Sequence, residues 1–285
     1  MFHSQKPAIN TTMKLQEKLK QYQSEGRALL AANFYNFETL AGILSAAREL
    51  NEPVILQLSE SSINYLGLPM AAQMARAGIS QFGVESWLHL DHGASPELAK
   101  RCLDAGFDSV MIDGSEKPFE ENIRITRQVV EMAKSYGAHV EAELGFIAKL
   151  GQEEDSDGFT QPEQARSFVA QTGVDALAVA IGTAHGFYKQ EPKLDLERLS
   201  EIRAITPQPL VLHGGSGIPD EMLRKAISRG IVKVNLATDS KNTFMRELKK
   251  VLFTTDEIDL RKTFPPAIAA VKELITRKIR LVSMQ

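Results

Sequence analysis

LHLDHG, at residues 88–93, starts as an apolar strand pattern and ends in a carboxylate, an imidazole and a glycine. Two later histidines stand in similar settings: His185 in IGTAHG at 181–186, and His213 in VLHGGSG at 211–217. In each segment an apolar run precedes a histidine that is followed directly by glycine. If these runs are parallel strands of one barrel, their ends meet on one face and form a reaction site.

The rest of the chain alternates apolar strand patterns with helical patterns, and no linker interrupts the alternation. The predicted strands cover residues 28–33, 53–59, 86–91, 109–113, 140–143, 176–181, 210–213 and 233–235. Helical patterns cover residues 14–23, 38–50, 96–105, 118–136, 162–172 and 219–229. Eight strand–helix units predict an α/β fold, a (β/α)8 TIM barrel, with a doubly wound open sheet as the alternative. We expect one domain over residues 13–285, preceded by a polar extension over residues 1–12.

Most of the predicted strands end on a polar residue. These residues are Asn33, Ser59, Asp91 with His92, Asp113, Glu143, His213 and Asn235. A polar residue also marks the end of an ordinary strand, which accounts well for Asn33 and Ser59. It does not account for three of the six histidines lying at such ends, each before a glycine.

Composition narrows the class of protein. With 285 residues, 43% of them hydrophobic, the chain is globular, and its net charge of −3 argues against nucleic acid or an anionic membrane as partner. The single cysteine, Cys102, excludes an intrachain disulfide and is interpreted as a buried structural thiol. No signal-peptide pattern or long apolar run is present, so we expect a cytoplasmic protein.

Three histidines from separate strand ends, with one coordination position left open, are typical of a catalytic zinc site. The sequence therefore predicts zinc at His92, His185 and His213. His139, at the start of a predicted strand, is interpreted as structural, and His3 in the extension is given no role.

Two further segments complete the predicted site. The run GGSG at 214–217 and the residues 235–238 follow the last two strands, where barrel enzymes bind phosphate through backbone N–H groups and a helix N-terminus. The acidic run QEEDSDG at 152–158 lies in a stretch long enough to cover the barrel mouth. One of its carboxylates could act as a mobile base.

The chain carries, in order, HLDHG at 89–93, SVMIDGS at 109–115, VEAELG at 140–145, GTAHG at 182–186, HGGSG at 213–217 and KVN at 233–235. This series resembles the class II, zinc-dependent ketose-bisphosphate aldolases from about residue 13 to the end. The resemblance implies a (β/α)8 barrel that cleaves a ketose 1,6-bisphosphate to dihydroxyacetone phosphate and glyceraldehyde 3-phosphate. Cleavage in the family passes through a zinc-stabilised enediolate, and the reverse reaction is an aldol addition.

The resemblance also implies a role for individual residues. Asp91 corresponds to the acid/base at the C4 hydroxyl, Glu153 to the loop carboxylate that moves the proton at C3, and Asn235 to a donor to the enediolate oxygen. Asp113 and Glu143 match positions of a second or alternative metal site. The predicted substrate-binding set is Gly186, Gly214, Gly215, Ser216, Asn235, Leu236, Ala237 and Thr238, together with Ser59 and Asn33.

Two segments depart from the family pattern. Residues 145–151, GFIAKLG, are longer and have one glycine fewer than the family pattern, so Glu154 is the alternative to Glu153 as loop base. The tail at 277–285 lacks the usual Gly-Ser ending, which leaves the distal phosphate contacts unassigned.

The family has a tagatose branch and a fructose branch, whose sugars differ only in configuration at C4. Residues 180–186 and 237–238 resemble the tagatose branch, and residues 213–219 resemble the fructose branch. Tagatose 1,6-bisphosphate is the favoured substrate and fructose 1,6-bisphosphate is the close second.

Two other functions are alternatives. A zinc-dependent barrel hydrolase would typically carry a His-x-His pair on its first strand, and residues 33–37 contain none. A non-catalytic barrel subunit of an aldolase complex would have lost a ligand histidine or Asp91, and all of these are present. The resemblance implies a homodimer or homotetramer, in some members a non-catalytic second subunit, and leaves a monovalent cation open as a second cofactor.

Strand alternation separates the roles within the first segment. It places His89 and Asp91 on one side of the strand and His92 on the other until the strand ends. We therefore expect His92 to bind the metal, Asp91 to carry the proton and His89 to support or pack.

Overall fold

The structure is a computed structural model that describes residues 13–145, 147, 158–186, 188 and 192–285. Eight parallel strands form a closed barrel in which each pairs with the next and the last pairs with the first. The strands are β1 (Leu29–Asn33), β2 (Val54–Ser59), β3 (Ser86–Gly93), β4 (Ser109–Ile112), β5 (His139–Leu144), β6 (Ala176–Val179), β7 (Leu210–Leu212) and β8 (Ile231–Leu236). The predicted (β/α)8 barrel is confirmed, with each predicted strand end within two residues of the observed one.

Helices surround the barrel and connect its strands. They are α1 (Leu15–Glu25), α2 (Phe37–Leu50), α3 (Glu60–Leu66), α4 (Leu68–Phe82), α5 (Pro96–Asp104), α6 (Phe119–Lys134), α7 (Pro162–Thr172), α8 (Leu196–Ile205), α9 (Asp220–Ser228), α10 (Thr238–Thr254), α11 (Leu260–Thr263) and α12 (Pro265–Val282). None of these helices of the described chain is long and apolar enough to cross a membrane.

Local chemistry fixes where several helices begin and end. Asn36 caps α2 in a reciprocal capping box with Thr39, and Ser95 caps α5 by accepting a hydrogen bond from the N–H of Leu98. α7 ends at Gly173, whose φ of 68° places it in the left-handed region. These ends keep the connections short, so each helix returns to pack on the outside of the barrel.

The barrel interior changes character along its axis. Near the starts of the strands, apolar side chains such as Leu29, Ile55 and Trp87 form one cluster with Leu15 and Leu19 of α1. The indole N–H of Trp87 donates to the carbonyl of Met13 at 2.9 Å. α1 therefore closes the amino-terminal end of the barrel, and access to the interior is from the carboxyl ends of the strands.

Above this apolar layer the interior is polar. Gln57, His89, Glu141 and Lys233 point inward and are fully buried. This layer separates the apolar floor from the strand ends, where the predicted site residues lie.

Candidate active site

His92 is aimed by an irregularity at the end of β3. The pairing of β3 with β4 shifts register between Leu90 and Gly93, and His92 has a φ of 51°, in the left-handed region. Such a bulge re-aims a side chain that strict alternation would send to the other face. Its Nδ1 lies 2.7 Å from Oδ2 of Asp113, whose other oxygen accepts hydrogen bonds from the backbone N–H and hydroxyl of Ser115.

The three predicted ligand histidines converge. The ring centroid of His92 lies 4.8 Å from that of His185 and 4.6 Å from that of His213, and the latter two are 6.0 Å apart. One nitrogen from each ring lies within 4.8 Å of the other two. Three separate strand ends thus supply one cluster of imidazoles.

The donor set of this cluster fits a zinc ion. Nε2 of His92 is buried and has no hydrogen-bond partner among the residues that the structure describes, whereas Nδ1 of His213 faces Oε2 of Glu143 at 2.9 Å. Buried polar atoms are normally paired, so the unpaired Nε2 of His92 is placed as a metal donor would be. Neutral imidazole nitrogens are the donors that zinc most often takes in a catalytic site.

The histidines differ in proton affinity. Burial and the neighbouring His92 and His213 lower the pKa of His185 to about 3. Burial would lower the pKa of His213 as well, but its contacts with Glu141 and Glu143 outweigh burial and raise that pKa to about 10. Before any metal binds, a proton therefore occupies part of this cluster.

Asp113 and Glu143 adjoin the same cluster. An oxygen of each lies within 4.8 Å of the ligand atom of His92 and of the other carboxylate. Oε2 of Glu143 also lies 2.9 Å from Nδ1 of His213. These ligand atoms are close enough to share one ion, and the role of the two carboxylates at a second or alternative metal position stays a prediction.

Asp91 lies beside the cluster in a fixed orientation. It is 7% exposed, and its Oδ2 and Oδ1 accept hydrogen bonds from the amides of Asn33 at 2.8 Å and Asn235 at 3.1 Å. Burial would raise its pKa, but the charges of His92, His213 and Lys233 and the Asn33 hydrogen bond lower it to about 2. Asp91 is thus an ionised acceptor whose Oδ1 lies 3.9 Å from Nε2 of His92.

A small cavity opens next to the histidines. Its lining consists of Asn33, Asp91, His185, Gly186, Gly214, Gly215, Ser216, Asn235, Ala237 and Thr238. Nearly all of the predicted substrate-binding residues therefore lie around one space. The first residue of the 17-residue helix α10 borders it, and the N–H of Asp239 in the first turn donates to the hydroxyl of Ser216 at 3.1 Å. The N-cap residue Ala237 makes no side-chain cap, so the other N–H groups of the first turn face the cavity side as potential donors to an anion.

Glycine is required where two segments cross at this cavity. Gly214 has a φ of 67°, and a Cβ on it would overlap the carbonyl oxygen of Ala184. A Cβ on Gly215 would lie 2.7 Å from the carbonyl oxygen of Asn235. The cavity thus has a floor of closely packed backbone that larger residues would push apart.

Two predicted substrate-binding residues, Leu236 and Ser59, are not among the residues that line this cavity. The side chain of Leu236 is buried in the apolar layer between barrel and helices. Ser59 caps α3, and its hydroxyl accepts from the N–H of Ser62 at 3.4 Å. Glu153 and the alternative Glu154 lie outside the described residues.

Three polar residues in the interior were not singled out from the sequence. Gln57 donates to Oδ1 of Asn33 at 3.0 Å and so supports the residue that holds Asp91. Glu141 contacts Nε2 of His213 at 3.0 Å, and Lys233 contacts Glu141 at 2.8 Å. The signal was available, because period-two alternation places Glu141 with Glu143 and Lys233 with Asn235 on the inner face.

Comparison with known proteins places the chain in a family. The family model described as "Fructose-bisphosphate aldolase class-II" matches residues 13–285. A Helicobacter pylori protein named fructose-bisphosphate aldolase is 39% identical to this chain. The match covers 93% of this chain and 96% of the relative.

Two solved structures agree with this assignment. The crystal structure of the YdjI aldolase from Escherichia coli K12 is 33% identical, with a TM-score of 0.84 over 95% of this chain and 96% of that one. A putative fructose-1,6-bisphosphate aldolase from Coccidioides immitis is 29% identical, with a TM-score of 0.85 over 94% and 96% of the two chains. The chain therefore belongs to the class II fructose-bisphosphate aldolase family and is an aldehyde-lyase.

Proposed function

We propose that this protein cleaves a ketose 1,6-bisphosphate to dihydroxyacetone phosphate and glyceraldehyde 3-phosphate, with zinc as its metal. One observation carries the proposal: the histidine cluster, the Asp91 carboxylate and the glycine-rich cavity adjoin one another, and His185 lines the cavity as well. An aldolase of this class needs a metal, a proton acceptor and a phosphate site within the length of one triose phosphate.

His92, His185 and His213 would hold the zinc. When bound, zinc supplies a Lewis acid that stabilises negative charge developing next to the substrate carbonyl. The buried, unpartnered Nε2 of His92 and the convergence of the three rings support this assignment. Asp113 and Glu143 would serve the alternative metal position.

Asp91 would accept the proton of the C4 hydroxyl. As that proton leaves, the C4 oxygen becomes the aldehyde oxygen of glyceraldehyde 3-phosphate, the C3–C4 bond breaks, and its electron pair stays on C3. The amides of Asn33 and Asn235 occupy one lone pair on each carboxylate oxygen and so fix which lone pairs face the substrate. Glu153, with Glu154 as the alternative, stays the predicted donor of the proton to C3.

The cavity would bind the phosphate of the triose that keeps C1 to C3. Gly186, Gly214, Gly215 and Ser216 line it beside Thr238, the first residue of α10. Backbone N–H groups and the positive end of a 17-residue helix favour a dianion there.

The choice of sugar and the assembly state stay predictions. Residues 180–186 and 237–238 favour tagatose 1,6-bisphosphate, and the names of the relatives favour the fructose sugar.

A homodimer or homotetramer is expected, and the exposed apolar side chains of Leu252, Phe253 and Ile258 near the end of α10 support self-association. Light scattering gives the mass that decides this.

A metal and activity assay tests the proposal. Purified protein is analysed for bound zinc, and triose phosphate release is measured from both bisphosphates before chelation, after chelation and after zinc is restored. We expect activity to disappear and return with zinc, and the ratio of the two kcat/KM values to identify the preferred sugar. Full activity after complete zinc removal, or none from zinc-loaded protein on either sugar, contradicts the proposal.

A matched pair of variants separates the metal site from the barrel interior. His185→Ala removes one predicted ligand and is expected to lose zinc and activity together. His139→Gln removes a buried imidazole at the start of β5, outside the cluster, and is expected to keep zinc.

A further inference from the structure

An ion pair lies inside the barrel, below the site. Nζ of Lys233 on β8 lies 3.1 Å and 2.8 Å from the two carboxylate oxygens of Glu141 on β5. Both side chains are completely buried. The proposed function uses neither residue.

This pair is connected to a predicted metal ligand. Oε1 of Glu141 lies 3.0 Å from Nε2 of His213, which is also completely buried. The residues form a chain from Lys233 through Glu141 to His213, and it ends at the ring whose Nδ1 belongs to the metal cluster. We propose that Glu141 and Lys233 are positioning residues that fix His213 as a metal ligand; the inference rests on the proposed zinc function.

The direction of the hydrogen bond gives the chain its effect. A carboxylate paired with an ammonium group can only accept, so its contact with Nε2 holds the ring proton on that nitrogen. When His213 is neutral, as a ligand imidazole must be, Nδ1 is then the nitrogen whose lone pair faces the cluster, on the side where Oε2 of Glu143 lies 2.9 Å away. A carboxylate behind a metal-bound histidine fixes the tautomer and the ring orientation and makes the ligand a stronger donor.

Packing alone is a poor explanation of the pair. Removing two charges from water is costly, and well-packed apolar residues of similar volume often stabilise a barrel interior as well or better. The apolar layer just below, with Ile55 and Trp87, shows that this barrel can be filled with apolar side chains. A charged pair that hydrogen-bonds a ligand histidine, with the more distant Nε2 of His89 at 4.0 Å from Oε2 of Glu141, has a use that apolar residues cannot supply.

Zinc affinity, measured by competition with a chromophoric chelator, tests the proposal. Glu141→Gln keeps the shape of the side chain and removes its charge, and we expect about 10-fold to 100-fold weaker zinc binding. Lys233→Met should also weaken zinc binding. Lys233→Arg, which keeps the positive charge, should retain most of the wild-type zinc affinity. Ile55→Val, in the apolar layer, controls for a general loosening of the barrel and should bind zinc like the wild type.

The double variant shows whether Lys233 acts through Glu141. In Glu141→Gln with Lys233→Met the loss should match that of Glu141→Gln alone within about threefold, because the chain is already broken. This variant buries no unpaired charge, so it serves if Lys233→Met alone does not fold. The absorption spectrum of bound Co²⁺ should change in Glu141→Gln, since the orientation of one ligand changes.

Two results overturn the inference. Wild-type zinc affinity and an unchanged cobalt spectrum in Glu141→Gln refute it while leaving the proposed function intact. Losses that multiply in the double variant show that Lys233 acts by another route. Failure of the wild-type protein to bind zinc refutes the proposed function as well, so the two failures are distinguishable.

Discussion

Asp91 has the most specific proposed role of any single residue, as acceptor of the proton of the C4 hydroxyl. Its carboxylate is held by Asn33 and Asn235 and does not belong to the cluster of imidazole nitrogens. Asp91→Ala should therefore keep zinc and lose about 10²-fold to 10⁴-fold in kcat, the usual contribution of a positioned acid or base. Metal analysis and steady-state kinetics measure both, with the exposed residue Asp104 changed to alanine as control. If turnover falls less than tenfold, Asp91 is not the proton acceptor.

The proton on His213 gives zinc binding a measurable pH signature. Its pKa of about 10 lies above pH 8, so the metal-free residue is protonated there, and a ligand imidazole must be neutral. Zinc uptake at pH 8 should release about one proton or more, and zinc affinity should rise with pH toward 10. Calorimetry in buffers with different ionisation enthalpies counts the protons. Uptake without proton release contradicts this assignment.

Single site residues could be predicted from the sequence where a recognisable local pattern surrounds them. His92, His185 and His213 each precede a glycine after an apolar run, and the structure brings them together. Glu141 and Lys233 lie within strands that read as ordinary alternating segments, so only their inward direction distinguishes them. Ser59 matches the strand-end pattern equally well; it caps α3 and is the register partner of Asp91, and its role in substrate binding stays a prediction.

The turn between β7 and α9 is the element on which phosphate binding depends. Gly214→Ala should destabilise the protein by about 1–2 kcal/mol through its positive φ and should in addition disturb the cavity through overlap with Ala184. Gly173→Ala is the matched control, because Gly173 has a similar φ of 68° with nothing near its added Cβ.

Thermal denaturation and calorimetric titration with dihydroxyacetone phosphate distinguish the two variants. Both should lower the melting temperature, and only Gly214→Ala should weaken ligand binding. Equal affinities in the two variants would show that the turn does not form the phosphate site.

Helices and strands were predictable from the sequence where the spacing of apolar residues and the residues that mark the ends of an element agreed. All eight strands appear, since fully buried parallel strands are short apolar runs between turn residues. The helices α3, α4, α8, α10, α11 and α12 were not predicted, although α12 packs on the outside of the barrel. The bulge that aims His92 was not predictable either, because the register of β3 against β4 depends on packing between strands that are distant in sequence.

At the scale of the molecule, the barrel explains why its chemistry lies at one end. α1 and the apolar floor close the amino-terminal end, and the polar interior layer supports the site from below. Eight strand–helix units sufficed to predict this architecture. The contacts across the interior, such as Glu141 of β5 with Lys233 of β8, appear only once the barrel is closed.

The three predicted zinc ligands come from three separate strand ends, so metal removal should change the stability of the whole barrel. A metal that binds the folded chain alone stabilises it by about 2.7 kcal/mol when its concentration is 100 times the dissociation constant. We expect chelation to lower the melting temperature and zinc to restore it. His185→Ala should show the lower melting temperature with or without zinc.

The proposed function depends on one zinc ion that lies between three histidines from three strand ends. Anomalous diffraction from zinc-loaded crystals, recorded at the zinc absorption edge, locates the ion directly. We expect a peak about 2.0–2.1 Å from one nitrogen each of His92, His185 and His213. Absence of a peak there, or a peak held only by other residues, would contradict the proposed function.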